Sequence, residues 1–483
     1  MKSSKSFRQR FLKIAAIAGI AGGILGVAPT AIAQQSVSFV IVQSTALEEA
    51  IQLQRQVEQL YKQGQYSAAI PLAEKVLAIL TQDLGADHPD TAIVLNDLAT
   101  LYQLQGEYGE AEPLLMRSLN IARRLLGADH PDTAITLDNL GSLYKAQGRY
   151  GQAEPFYRQA LNIRKRQLGE DHPDTAITLN NLALLHKEQG SYDKAEPLLI
   201  QALEIIQQQF GEDHPDTATS LNNLAGLYES QGRYEEAEPL YLQSLKIRQR
   251  VLGTSHPDTA NSLNNLATLY QSQGRYEEAE NLLTQTVEIR QRQLGEDHPL
   301  TATSLNNLAG VYRSQGRYEA AEPLYQKALE IRQRLFGKDH PDIASNLDNL
   351  ARLYDLQGRY EEAEPLYQKA LEIYQRLLGA NHPHTAASLG NLAVLYELQG
   401  RYEEAEPLFI QALEIDKQVL GKDHPDTAIS LNNLAGLYES QGRYGEAEKL
   451  YLQALQILEK QLGNDHPRTI TVLQNLNDLR NQR

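Results

Sequence analysis

Ten histidines, each followed by proline and each 42 residues from the next, constrain this chain more than any other feature. They are His88, His130, His172, His214, His256, His298, His340, His382, His424 and His466. From Asp216 to Pro257 the chain reads DTATSLNNLAGLYESQGRYEEAEPLYLQSLKIRQRVLGTSHP, and eight further stretches repeat it with small changes. Internal repetition at a period of 20 to 50 residues signals a solenoid or array in which each unit packs on its neighbours. Length alone would suggest about three domains; the repeat makes one long array the better count.

Within the unit the apolar pattern is helical. Leu221, Leu224, Ala225 and Tyr228 fall on one stripe at 100° per residue, and after Gly232 a second stripe follows through Tyr234, Ala237, Leu240, Tyr241, Ser244, Leu245 and Ile247. Leu252-Gly253 closes the second helix, with glycine expected in the left-handed cap conformation. The next helix opens at His-Pro-Asp-Thr, where proline loses no hydrogen bond and an aspartate meets the positive end of the helix dipole. The pattern predicts an all-α solenoid over residues 46–483, with no strand. Helix pairs start near residues 46, 91, 133, 175, 217, 259, 301, 343, 385 and 427. A lone, more polar helix caps the array at 469–483, where Asn477 and Arg480 stand on the apolar stripe.

The N-terminus carries a different signal. Lys2 to Lys13 form a basic segment, Ile14 to Val27 an apolar one, and Ala31-Ile32-Ala33 a small-x-small site before Gln34. This is the pattern of a secretory signal peptide over residues 1–33, cleaved between Ala33 and Gln34, so export to the periplasm or the exterior is expected. An uncleaved N-terminal membrane anchor is the alternative. Residues 34–45 read as a linker. Cleavage removes five cations and no acid, taking the formal charge from -16 to -21. That balance argues against a nucleic-acid partner and favours a soluble, monomeric chain. The absence of cysteine excludes disulfides, thiol nucleophiles and a lipidated cysteine.

Leu224, Ala225, Tyr228, Gly232, Tyr234, Ala237, Tyr241 and Ser244, in that order across a helix pair, resemble the tetratricopeptide repeat. The 42-residue period, the LNNLA box and the HPDTA connector are similar to the kinesin-light-chain subclass, which also occurs in bacteria. The resemblance implies a right-handed superhelix of about ten units whose first helices line a concave groove for extended peptide segments. It also implies a non-enzymatic scaffold for a protein or peptide partner, with no cofactor.

The candidate groove residues form an asparagine ladder. Asn222 and Asn223 lie off the apolar stripe, with equivalents at Asn180-Asn181, Asn264-Asn265, Asn306-Asn307 and Asn432-Asn433, and single survivors at Asn96, Asn139, Asn349 and Asn391. An amide offers donor and acceptor together, so a row of amides suits a peptide backbone of any sequence. The alternative is a structural bridge between neighbouring helices. Further along the same face, Glu229, Gln271 and Arg313 occupy a position that varies from unit to unit. That variation reads either as specificity or as neutral drift. One histidine per unit cannot converge on a single ion across stacked helices, so the histidines read as connector residues, not metal ligands. The glutamates of YEEAE read as a solvated helix start, and the IRQR arginines as charges suited to a helix end. No catalytic motif or phosphate loop is present. A structural spacer or self-associating solenoid is the alternative to the peptide-binding scaffold.

Overall fold

The computed structural model describes residues 45–482; the signal-peptide expectation and all of the 34–45 linker but Thr45 lie outside them, and Thr45 opens the first helix. Among the described residues there are twenty-one α-helices and no strand. They form ten antiparallel pairs, from Thr45–Lys62 with Tyr66–Asp83 to Pro425–Ser440 with Tyr444–Leu462, and a closing helix, Pro467–Asn481. Each helix packs on the next in sequence, and the first helices of successive units also meet one another directly. This makes the first helices the inner layer of an α-solenoid and the second helices the outer one. The core runs the length of the array through Leu224, Ala225, Ala237 and Tyr241 and their equivalents.

The histidines explain where the units begin. Full first helices start at the proline, as at Pro215, two residues ahead of the threonine that the repeat pattern marks. In each connector the histidine is the N-cap residue, in extended conformation, and its Nδ1 accepts the backbone N–H two residues on. This bond is 3.2 Å from Asp216 to His214 and 3.0 Å from Asp342 to His340. It satisfies one of the orphan donors of a helix start. The connector threonine adds a second tie, as Thr217 Oγ1 donates to Gly211 O at 2.7 Å. At the other end of the connector, the glycine conformation differs from the expected left-handed one. Gly253 has φ 94° and ψ 160°, so the chain leaves the helix extended, in a region open essentially to glycine alone.

Successive turns of the coil touch. His298, His340 and His382 donate from Nε2 to Lys62 O, Leu104 O and Ala146 O at 3.3, 3.1 and 3.3 Å, each across 236 residues, or between five and six units. Each imidazole is therefore neutral, capping its own helix with one nitrogen and holding the previous turn with the other. The contact closes on a glycine. A Cβ on Gly148 would lie 2.9 Å from His382 and 3.0 Å from Pro383, and Gly64, Gly106, Gly190 and Gly232 meet His298, His340, His424 and His466 in the same way. Around these latches Phe336 stacks on Tyr66 at 6.1 Å, and Gln105 Nε2 donates to Phe336 O at 3.1 Å.

Two outcomes follow from the latches. Gly148 and Gly400 share a positive φ, 67° and 74°, but only Gly148 touches another turn. Gly400→Ala should cost about 1 kcal/mol from backbone strain alone. Gly148→Ala should cost clearly more and raise hydrogen exchange at the Pro383 helix start, measured by thermal unfolding and exchange mass spectrometry. Burial holds His298 and His466 down to about 4, and burial with the neighbouring His384 holds His382 down to about 3. The unfolded imidazole titrates near 6.5. The stability these groups add is thus complete above about pH 6.5 and is lost as pH falls from there through about 4. The radius of gyration from small-angle scattering should rise over that window before helicity is lost.

Candidate functional site

The asparagine ladder lies on the inner face of the coil, where the first helices meet. The helical wheel sets these residues apart from the apolar stripe, but the coil buries those in the middle units: Asn222 is 1% exposed, Asn223 8%, Asn264 6% and Asn265 5%, while Asn180, Asn306, Asn307, Asn349, Asn432 and Asn433 are half-buried. Neighbouring first helices come close enough for amides to bond across units. Asn223 Nδ2 donates to Asn180 Oδ1 at 2.8 Å, Asn307 to Asn264 at 2.9 Å, Asn349 to Asn306 at 3.3 Å and Asn475 to Asn432 at 2.8 Å. In these pairs the second asparagine of one unit donates to the first asparagine of the unit before; the bond is missing between Asn265 and Asn222, which stand in the same register. Within a unit, Asn264 and Asn432 donate to Asn265 and Asn433 at 3.4 and 3.3 Å. Asn181 is buried, and Asn391 is half-buried beside Gly390, where the row of paired amides is broken.

One member of the ladder stands apart. Both amide atoms of Asn222 are buried without a hydrogen-bond partner in the chain, and so is Asn265 Nδ2. Such groups are costly, and native cores keep few of them. The variable positions further along the face are tied to neighbours. Tyr241 Oη donates to Glu229 at 2.7 Å, Gln271 Nε2 to Ser314 at 3.1 Å, and Arg313 Nη1 to Asn349 Oδ1 at 3.4 Å. Where the first asparagine is replaced by Asp348, burial pushes the carboxyl up to about 7, against a hydrogen bond from Ser388 that pulls it down.

Two other charged sets that the sequence suggested were surface features are structural. The first arginine of IRQR is buried: Arg248 is 1% exposed and Arg290 0%. Arg248 donates from Nη1 to Asp258 O and Ser262 Oγ, both at 3.0 Å, and from Nη2 to Thr219 Oγ1 at 2.9 Å. It thus clamps the helix that starts the next unit. The second arginine stays outside and pairs with a connector aspartate, as Arg334 does with Asp297 at 2.5 Å. Of the YEEAE glutamates, the third is not a solvated helix start. Glu238 accepts from Tyr270 Oη at 3.0 Å and from Arg275 at 2.9 Å, while that guanidinium lies 3.7 Å above the Tyr270 ring. The same Tyr–Arg–Glu set recurs through Tyr354, Arg359 and Glu322. In the closing helix, Arg480 replaces the tyrosine and bonds Glu448 at 2.8 Å. The second glutamate pairs locally, Glu236 with Arg233.

These sets hold helices together. The histidines serve as caps and latches, and among the described residues no group of three metal-binding side chains converges. Among the same residues no helix is long and apolar enough to cross a membrane. The tetratricopeptide repeat model matches the chain in ten overlapping segments, the first at residues 48–124 and the last at 431–480. The chain belongs to the tetratricopeptide repeat family. Among solved structures, this tetratricopeptide repeat protein is similar to the kinesin light chain nearly identical TPR-like repeats of Podosopora anserina. The identity is 31% over 42% of this chain and 97% of that chain, with a TM-score of 0.37. It is also similar to BtubC (BKLC) from P. vanneervenii, with 26% identity over 52% of this chain and 94% of that chain, and a TM-score of 0.39. A Rap protein complexed with Competence and Sporulation Factor is 15% identical over 90% of this chain and 98% of that chain, with a TM-score of 0.44. The search of curated proteins found no match.

The ladder yields a paired prediction. Asn222→Leu removes a buried amide without partners and should stabilise the fold by about 1 kcal/mol. Asn223→Leu leaves Asn180 Oδ1 without its donor and should destabilise it by about 1–3 kcal/mol. Denaturant unfolding of the two variants side by side measures both.

Proposed function

We propose that this protein is an exported, non-enzymatic scaffold that holds an extended segment of a protein partner against the inner face of its first helices. Tetratricopeptide repeat proteins are generally non-catalytic scaffolds for protein or peptide partners, and that much follows from family membership. The observation that supports the finer reading is Asn222. An amide with both atoms buried and unpaired costs stability, and a peptide backbone offers the acceptor and donor that would satisfy it. Asn264 and Asn306, one and two units on, lie in the same row, and each already accepts an amide bond from the unit after it. The basic signal segment before Ala33 supports export.

A second reading, a structural spacer with no peptide ligand, is favoured by the burial of the ladder and by its bonds from unit to unit. The two readings part on one experiment. Asn222, Asn264 and Asn306 are replaced together by alanine, and partners are captured from the exported fraction with wild type and variant. Loss of a specific partner at unchanged helicity supports the groove; an unchanged partner set rules it out. Absence of the wild-type chain from the exported fraction would overturn the export reading by itself.

A further inference from the structure

The latch that joins one turn of the coil to the next is used five times within the chain, and its two halves are left over at opposite ends. The inner set pairs Gly64, Gly106, Gly148, Gly190 and Gly232 with the His-Pro connectors of the following turn. The glycine turns of the last superhelical turn, Gly274, Gly316, Gly358, Gly400 and Gly442, keep the same positive φ, 71° to 75°, with nothing within 4 Å. At the other end, among the described residues, the connectors of the first turn face no earlier turn. The rings of His88, His172, His214 and His256 are 28% to 40% exposed, whereas the latched His298, His340 and His382 are 4% to 7% exposed as residues.

The apolar side chains around the latch divide in the same way. Leu104, which meets the next turn through its carbonyl, is partly covered; Leu356 and Leu398, at its position in later units, are 52% and 56% exposed. Phe336 is buried to 6% against Tyr66, while Phe210, three units earlier, is 39% exposed. Val419 packs on a core cluster of the previous turn, while Leu125 and Val251 at the same position are each 46% exposed. Both end faces thus display the apolar residues and the hydrogen-bonding groups that the internal interface covers.

We propose that the chain associates head to tail with further copies of itself, the first-turn connectors of one copy seating on the last-turn glycine turns of the next. The inference goes beyond the groove reading and does not depend on it. It replaces the expectation of a monomer drawn from net charge, because the same acidic chain already forms this interface between its own turns. The closing helix sets the register. It fills the first-helix slot that Thr45–Lys62 of a second copy would need for unbroken continuation, so the second copy begins one unit further on. His88 then falls on Gly316, His172 on Gly400 and His214 on Gly442, with the 42-residue spacing keeping all of them in step. One second-helix slot remains beside Ile470 and Leu473, which are 41% and 42% exposed where Ala428 and Leu431 are buried. A contact between unlike faces does not close on itself, so growth continues beyond two copies.

The test uses the purified chain and two face variants, Leu356→Glu/Leu398→Glu and Leu125→Glu/Val251→Glu, all at positions at least 46% exposed, with folding checked by circular dichroism. Sedimentation velocity across a concentration series should show wild-type mass rising past the dimer, with rods in negative stain. Each variant alone should be monomeric, its association weakened at least about tenfold by a charge placed in an apolar contact. An equimolar mixture of the two should stop at a dimer, because each retains one working face. A wild-type chain that remains monomeric, stops at two copies, or assembles equally well with either variant overturns the proposal.

Discussion

A neutral imidazole has one nitrogen that accepts a hydrogen bond and one that donates, and the coil depends on both being used. In the connectors of the later units, Nδ1 caps the helix that follows while Nε2 reaches the carbonyl end of a helix on the previous turn. Local helix initiation and long-range curvature are thereby settled by one side chain. A lysine or asparagine in the same place would satisfy one of the two demands and fail the other. The adjoining proline needs no hydrogen-bond partner at the helix start, and it fits against a glycine that leaves it room.

Much of the fold was legible because its determinants repeat at short range. The Leu224–Ala225–Tyr228 stripe, the Gly232 turn and the proline starts each act within one helix pair, and ten copies remove the ambiguity of a single one. What could not be read was how closely units approach one another, whether adjacent or a full turn apart. The wheel around Leu221 puts Asn222 outside the apolar stripe but carries no information on how closely the next first helix approaches. Asn222 is buried for that reason. The arginines misled in the same way. Arg248 stands where a helix end welcomes positive charge, and only the neighbouring unit, with Thr219, Ser262 and the Asp258 carbonyl, makes it a buried clamp. A hint was present in the alternation of the IRQR pair, since the outer arginine is spaced to meet the connector aspartate and the inner one is not.

The inner face carries two opposed demands. Amides that bond to each other across units stiffen the coil and use up the groups a ligand would need. Asn223 and Asn307 serve the first demand, and Asn222 makes no such bond. The Tyr–Arg–Glu sets on the outer side, such as Tyr270, Arg275 and Glu238, tie each unit to the next without drawing on inner-face groups. The inner and outer layers can therefore vary independently, the outer one keeping the units in register while the inner positions change from Glu229 to Gln271 to Arg313.

The spacing of the latch also bears on how a protein like this grows. A copy of the repeat inserted anywhere in the array brings its own histidine and its own glycine, already in phase with the turns above and below, so a duplication needs no compensating change. Its effect on stability depends on length. Up to six units no latch forms, and a new unit adds only nearest-neighbour packing; from the seventh on, every new unit also adds one latch. Array length is thus a quantity on which selection can act in steps, with a threshold at the first completed turn of the coil.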